Sequence, residues 1–76
     1  MVMQVPQRGI VKWFDAEKGF GFITPVDGGP DIFVAARAII GRGYRHLNPE
    51  QLVEFNTEPG SQGPQAVAVQ PVVNGK

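Results

Sequence analysis

The sequence contains no cysteine, which excludes disulfides, thiolate zinc sites and thiol catalysis. That absence is compatible with a reducing cytosol, and a cytoplasmic location is expected. Long apolar runs are also missing, since no stretch approaches the roughly 20 residues that cross a bilayer. The opening segment, Met1-Val2-Met3-Gln4-Val5-Pro6, has neither the charged start nor the apolar run of a signal peptide. These features lead to the expectation of a soluble chain with no membrane partner. An excess of one charge is lacking as well: seven basic residues balance seven acidic ones. A purely electrostatic binder of nucleic acid would be strongly basic. The local distribution is uneven, with Arg37, Arg42, Arg45 and His46 in an acid-free stretch and Glu50, Glu54 and Glu58 following. That pattern fits either a locally positive side or an ordinary mixed surface.

Catalytic machinery is sparse. His46 is the single histidine and Ser61 the single serine, and no motif gives either one a nucleophile, base or orienting carboxylate. Asp27 and Asp31 flank a Gly-Gly-Pro turn, but two carboxylates do not make a calcium loop. The Gly-x-Gly around Phe20 lacks the third glycine and the following helix of a dinucleotide fingerprint. The expectation is a non-enzyme with no cofactor, no metal and no small-molecule substrate.

What is present is punctuation. Ten glycines and seven prolines in 76 residues fall between short apolar runs, as expected for short strands joined by turns. Gly9 to Phe14 is β-branched and aromatic. Asp15 to Gly19 reads as a connection, and Phe20-Gly21-Phe22-Ile23-Thr24 as a second strand. Asp27-Gly28-Gly29-Pro30-Asp31 is a turn leading into Ile32-Phe33-Val34, which completes a three-stranded meander. Ala35 to Ile40 favours helix, but Gly41 and Gly43 limit it to about a turn. Leu52 to Asn56 alternates like a strand, Gly60 to Pro64 reads as a flexible loop, and Ala66 to Val69 as the closing strand. Residues 1–7 and 73–76 are expected to be flexible arms around a domain at 8–72. Five short strands without a substantial helix bury their apolar faces best by curling into a closed sheet. The fold class expected is therefore all-β: a small five-stranded antiparallel oligonucleotide-binding barrel.

Lys18-Gly19-Phe20-Gly21-Phe22-Ile23 is the most specific feature. Alternation puts Phe20 and Phe22 on one face with Gly21 and Ile23 opposite. Because Ile10, Val11 and Ile23 supply core candidates, the two rings are read as an exposed platform beside a cation. Base–aromatic stacking contributes about 1–3 kcal/mol per base and tolerates any base. The same hexapeptide begins the first ribonucleoprotein motif of the RNA-recognition-motif fold, but that fold needs two helices the sequence does not supply. Trp13 extends the platform, since its indole N–H finds few partners inside a small barrel. Phe33, on the neighbouring strand, stands beside Phe20 or Phe22. Phe14 divides evenly between core and surface, and Phe55 reads as core. Tyr44, between Arg42 and Arg45, is either a stacking arm or a cover for the barrel mouth.

Taken together, Gly9 to Phe14, Lys18 to Pro25, Asp31 to Val34, Gly43-Tyr44 and Gly63-Pro64 resemble the bacterial cold-shock proteins, in order and at near-family spacing, over roughly residues 8–72. The resemblance implies an oligonucleotide-binding barrel that acts as a nucleic-acid chaperone on single-stranded RNA or DNA. It places Lys12, Trp13, Phe20, Phe22, Phe33 and Tyr44 at binding positions and Asp31 where a base edge can be contacted. Lys18 joins this set as the cation beside the platform. Asp15 stands where many members have asparagine, which makes it another possible polar contact. Arg37, Arg42 and Arg45 are candidate phosphate contacts, and the protein is expected to be a monomer.

One departure matters. The second ribonucleoprotein motif of that family usually reads Val-His-Phe, and here it is Val34-Ala35-Ala36. Two stacking platforms are absent, a loss on the order of 2–6 kcal/mol, or tens- to ten-thousand-fold in affinity. Arg37 recovers part of this if its guanidinium stacks or meets a phosphate. The runner-up function is a degenerate barrel serving as a protein-interaction module, with Ala35, Ala36, Val67 and Val69 forming an exposed apolar patch. A third reading is self-association. If the missing rings weaken binding, Ala35→His with Ala36→Phe raises affinity for single-stranded oligonucleotides by at least about tenfold. Equal dissociation constants for the two proteins would contradict this.

Overall fold

The computed structural model describes residues 6–40, 47–61 and 63–72. Five strands run in the order β1 (Gln7–Asp15), β2 (Phe20–Pro25), β3 (Ile32–Ala35), β4 (Leu52–Gly60) and β5 (Gly63–Pro71). They close into a barrel in the spatial order β1-β2-β3-β5-β4. The meander β1-β2-β3 is antiparallel throughout, and β4 pairs antiparallel with both β1 and β5. The barrel is not wholly antiparallel as the sequence led us to expect. Its closing seam, β3 against β5, is parallel and registers Phe33 opposite Gln65.

Two further boundaries differ from the sequence reading. Gln7 opens β1 opposite Phe55 instead of belonging to an arm, because pairing with β4 satisfies its backbone. Gly60, Gly63 and Pro64 belong to the β4–β5 hairpin, with Gly60 opposite Gly63, so these three residues of the supposed flexible loop are strand. Helix-friendly Ala35 to Ile40 yields a single 3-10 turn, Ala36–Ala38, as short as expected. None of the helical structure described is long and apolar enough to cross a membrane.

The interior is filled by alternate positions of each strand. Val11, Ile23, Val34, Val53, Phe55 and Val69 are almost completely buried, and Leu47 seals the bottom from the segment before β4. Phe55 is core as anticipated. Phe14 is half-buried and packs against the core, which settles its balanced reading toward the interior. No polar or charged side chain is buried among the described residues, so the core costs no unpaired polar groups.

Two backbone irregularities shape this barrel. In β1 the register slips between Val11 and Trp13, so that Val11 faces Ile23 while Trp13 faces Phe22. The extra residue, Lys12, makes a β-bulge that reverses the in–out alternation. Val11 is buried, Lys12 and Trp13 are both exposed, and Phe14 turns back inward. Opposite Phe14 sits Gly21, where a β-carbon would collide with the Trp13 carbonyl oxygen and approach Phe14 Cα at 2.7 Å. In β5 the register slips between Glu54 and Asn56 of its partner, and Ala68 takes up the extra length in a left-handed conformation at φ +54°. That conformation costs a non-glycine residue about 1–2 kcal/mol.

These two positions give opposite expectations. Gly21→Ala should destabilise the fold by about 2 kcal/mol or more by overpacking. Ala68→Gly, at an exposed position, should stabilise it by about 0.5–1 kcal/mol by relieving strain. Urea midpoints measure both, and an unchanged midpoint for Gly21→Ala would refute the close-approach account.

Candidate nucleic-acid interface

The outer face of β1, β2 and β3 gathers four of the rings singled out from the sequence. The ladder places Trp13 opposite Phe22 and Phe22 opposite Phe33, so these three side chains lie in one rung across the sheet. Ring centroids are 5.4 Å apart for Trp13 and Phe22 and 5.9 Å for Phe22 and Phe33. Phe20, one step along β2, meets Trp13 edge-on at 5.5 Å and stacks on Phe33 at 5.8 Å with planes 25° apart. All four distances fall in the range of favourable aromatic pairs. The rings support each other sideways, yet Trp13 remains 40% exposed and Phe20, Phe22 and Phe33 are half-buried. Their partners in alternation, Gly21, Ile23, Ile32 and Val34, point into the barrel.

Polar groups border this surface. Lys12 Nζ donates to Asp31 Oδ2 at 2.9 Å, and Thr24 Oγ1 donates to Asp31 Oδ1 at 3.2 Å. Two predicted contacts, Lys12 and Asp31, are thus one ion pair joining the bulge to the start of β3. Asp31 is held below the usual carboxylate range. The Lys12 hydrogen bond is the main cause, Lys12 charge and the Thr24 hydroxyl add to it, and partial desolvation opposes it. Lys12 keeps two further ammonium hydrogens for a ligand.

Lys18 is exposed in the turn before Phe20, and Arg37 is exposed on the 3-10 turn after β3. Among the described residues neither pairs with a carboxylate, so both present cations close to the rings. Asp15 has a different task. Its Oδ1 accepts the backbone N–H of Glu17 and of Lys18 at 3.0 and 3.1 Å, and its carbonyl accepts the Gly19 N–H at 2.7 Å. Asp15 is therefore a turn cap, and Gly19 closes the turn at φ +82°, a conformation that suits glycine. Tyr44, Arg42, Arg45 and His46 lie outside the described residues.

The sequence reading missed three residues that border this surface. Thr24 reaches Asp31 because both flank the β2–β3 turn, a contact no local motif signals. Gln65 and Glu58 extend the aromatic rung, and taking Gly60 to Pro64 as a loop hid their pairing. The apolar patch of the runner-up reading is not formed as expected: Val69 is fully buried in the core and Val67 only half-exposed.

With the geometry in place, the relatives decide the family. The sequence matches the 'Cold-shock' DNA-binding domain over residues 7–72. This chain belongs to the cold-shock domain family. It is 57% identical over 67 residues to the cold shock-like protein CspB of Yersinia pestis, covering 88% of this chain and 96% of that one. The cold shock-like protein CspG of Escherichia coli K12 is 56% identical over the same length and coverage. CspJ of Salmonella typhimurium is 57% identical over 61 residues, covering 80% of this chain and 87% of that one. The fold also matches the Drosophila Unr CSD456 structure with a TM-score of 0.76 at 18% identity, over 92% of this chain and 28% of that longer one. At that identity the likeness speaks for the barrel alone. A nucleic-acid-binding cold-shock protein is what the family and the barrel together support.

The Lys12–Asp31 pair makes a pH-dependent contribution. With its pKa depressed on folding, Asp31 stabilises the fold fully above its unfolded pKa of about 3.9, and that contribution disappears as pH falls through the lower folded value. The stability difference between wild type and Asp31→Asn should be constant above about pH 5 and shrink below about pH 4. Urea unfolding across a pH series measures it, and a difference that does not change with pH would show the pair contributes nothing.

Proposed function

We propose that this cold-shock protein binds single-stranded RNA or DNA by stacking unpaired bases on Trp13, Phe22, Phe33 and Phe20, and so keeps strands from refolding. The observation that carries this reading is the shared outer face of the four rings, with centroids 5.4–5.9 Å apart. Stacking reaches only bases already free of a duplex, so binding stabilises the open strand by mass action. Lys18 and Arg37 meet phosphates, while Lys12 and Asp31 address a base edge at the border of the platform. Methyl groups at Ala35 and Ala36 extend no ring to a fifth or sixth base, which supports weaker binding than a platform with rings at both positions. Among the described residues the strands close into a barrel with their edges paired, which favours a monomer. The cysteine-free composition fits action in the cytoplasm.

With zero net charge and few cations beside the rings, affinity should depend weakly on salt. Each phosphate contact contributes about −0.7 to the slope of log affinity against log salt for a single strand. Trp13 fluorescence, titrated with thymine-rich single strands and with duplex at two salt concentrations, should show saturable quenching by single strands only and a slope shallower than about −3. Phe33→Ala should weaken binding by about 5- to 150-fold. Quenching by duplex, or a steep slope, would assign the affinity to electrostatics and defeat the stacking account.

A further inference from the structure

The rung of rings does not end at Phe33. Gln65 stands opposite Phe33 across the parallel seam, and Glu58 stands opposite Gln65 across the hairpin. One row across the outer surface therefore reads Trp13, Phe22, Phe33, Gln65, Glu58. Beside it, between β3 and β5, lies a cavity of about 380 Å³ whose wall includes Phe33, Ala35, Arg37, Gln65 and Glu58. Ala35 adds only a methyl group to the wall beside Phe33. The volume lies at the lower end of small-ligand sites and accommodates a purine ring. Gln65 Nε2 donates to Glu58 Oε2 at 3.4 Å, which orients the carboxylate. Among the described residues no cation pairs with Glu58.

We infer that this cavity reads guanine in the bound strand, a deepening of the single-strand reading above on which it rests. A carboxylate only accepts hydrogen bonds. The Watson–Crick edge of guanine offers two donors side by side, N1–H and the 2-amino group, at the spacing of the two oxygens of Glu58. Cytosine and adenine set one amino donor beside a ring-nitrogen acceptor, and thymine and uracil set one N–H between two carbonyls. Each of those edges turns at least one acceptor toward the carboxylate, which repels it. Unpaired bases expose this edge, whereas duplex hides it. Phe33 supplies the stacking surface for the inserted base. Arg37, on the same wall, offsets the charge of Glu58 and meets the adjoining phosphate.

The test uses the whole protein and Trp13 fluorescence. Heptathymidylate is compared with heptamers carrying a single guanine, or a single inosine, at each position in turn. Inosine keeps N1–H and lacks the 2-amino group. In one register guanine should bind about tenfold tighter than thymine, a preference of the size a bidentate base contact provides, and inosine should fall between. Glu58→Gln, at an exposed position, should abolish most of that preference, bringing the guanine-to-thymine affinity ratio close to one. Guanine heptamers no tighter than heptathymidylate in any register, or a preference that survives Glu58→Gln, would overturn the guanine pocket and leave stacking intact. If heptathymidylate itself fails to quench Trp13, the single-strand reading falls and the pocket falls with it.

Discussion

The outer face of this barrel depends on how closely β1 and β2 approach at Phe14 and Gly21. Trp13 has the same parity as Gly9 and Val11, and simple alternation would send it into the core with them. The bulge at Lys12 turns it outward instead. Phe14 is thereby turned inward, against the space Gly21 leaves by having no side chain. A residue absent from the surface thus determines which ring stands on it. The same strand pair then sets Trp13 against Phe22, and every other aromatic contact builds outward from that one.

The proposed dominance of rings over charge has a physical basis. Four aromatics in mutual contact are already ordered sideways before any base arrives, so stacking on them requires little further loss of side-chain freedom. The charged groups are less available. Lys12 is tied to Asp31, Arg8 pairs with Glu54 at 3.0 Å on the opposite side of β1, and the chain as a whole is neutral. Exposed pairs of this kind contribute at most about 1 kcal/mol to stability. Their greater effect is to fix where polarity begins at the border of an apolar surface.

How much of this was legible in the letters differs from residue to residue. The alternation of Phe20, Gly21, Phe22 and Ile23 announced both faces of β2 correctly, because period-two patterning is a local property. Phe33 could be set beside them because a short Gly-rich turn makes β2 and β3 neighbours. Trp13 was placed outside on the needs of its indole N–H, while the bulge that makes this geometrically feasible left no mark in the sequence. Asp15 read as a possible polar contact, and its role as a turn cap was not legible, since only the backbone geometry reveals it. The partnership of Gln65 and Glu58 with the rings was hidden altogether. It needs a parallel seam between strands remote in sequence, and such pairings carry no local signature.

That seam has a consequence of its own. Its partners are β3 and β5, distant along the chain, whereas the meander and the β4–β5 hairpin each form from near neighbours. The seam is held by one register pair, against four at the even more remote join of β1 and β4, which makes it the natural place for the closed barrel to part. A strand of nucleotides lying from Trp13 to Glu58 crosses this join. It would act as a clasp, shutting the cylinder at its weakest line and slowing amide exchange in β5 more than in β2.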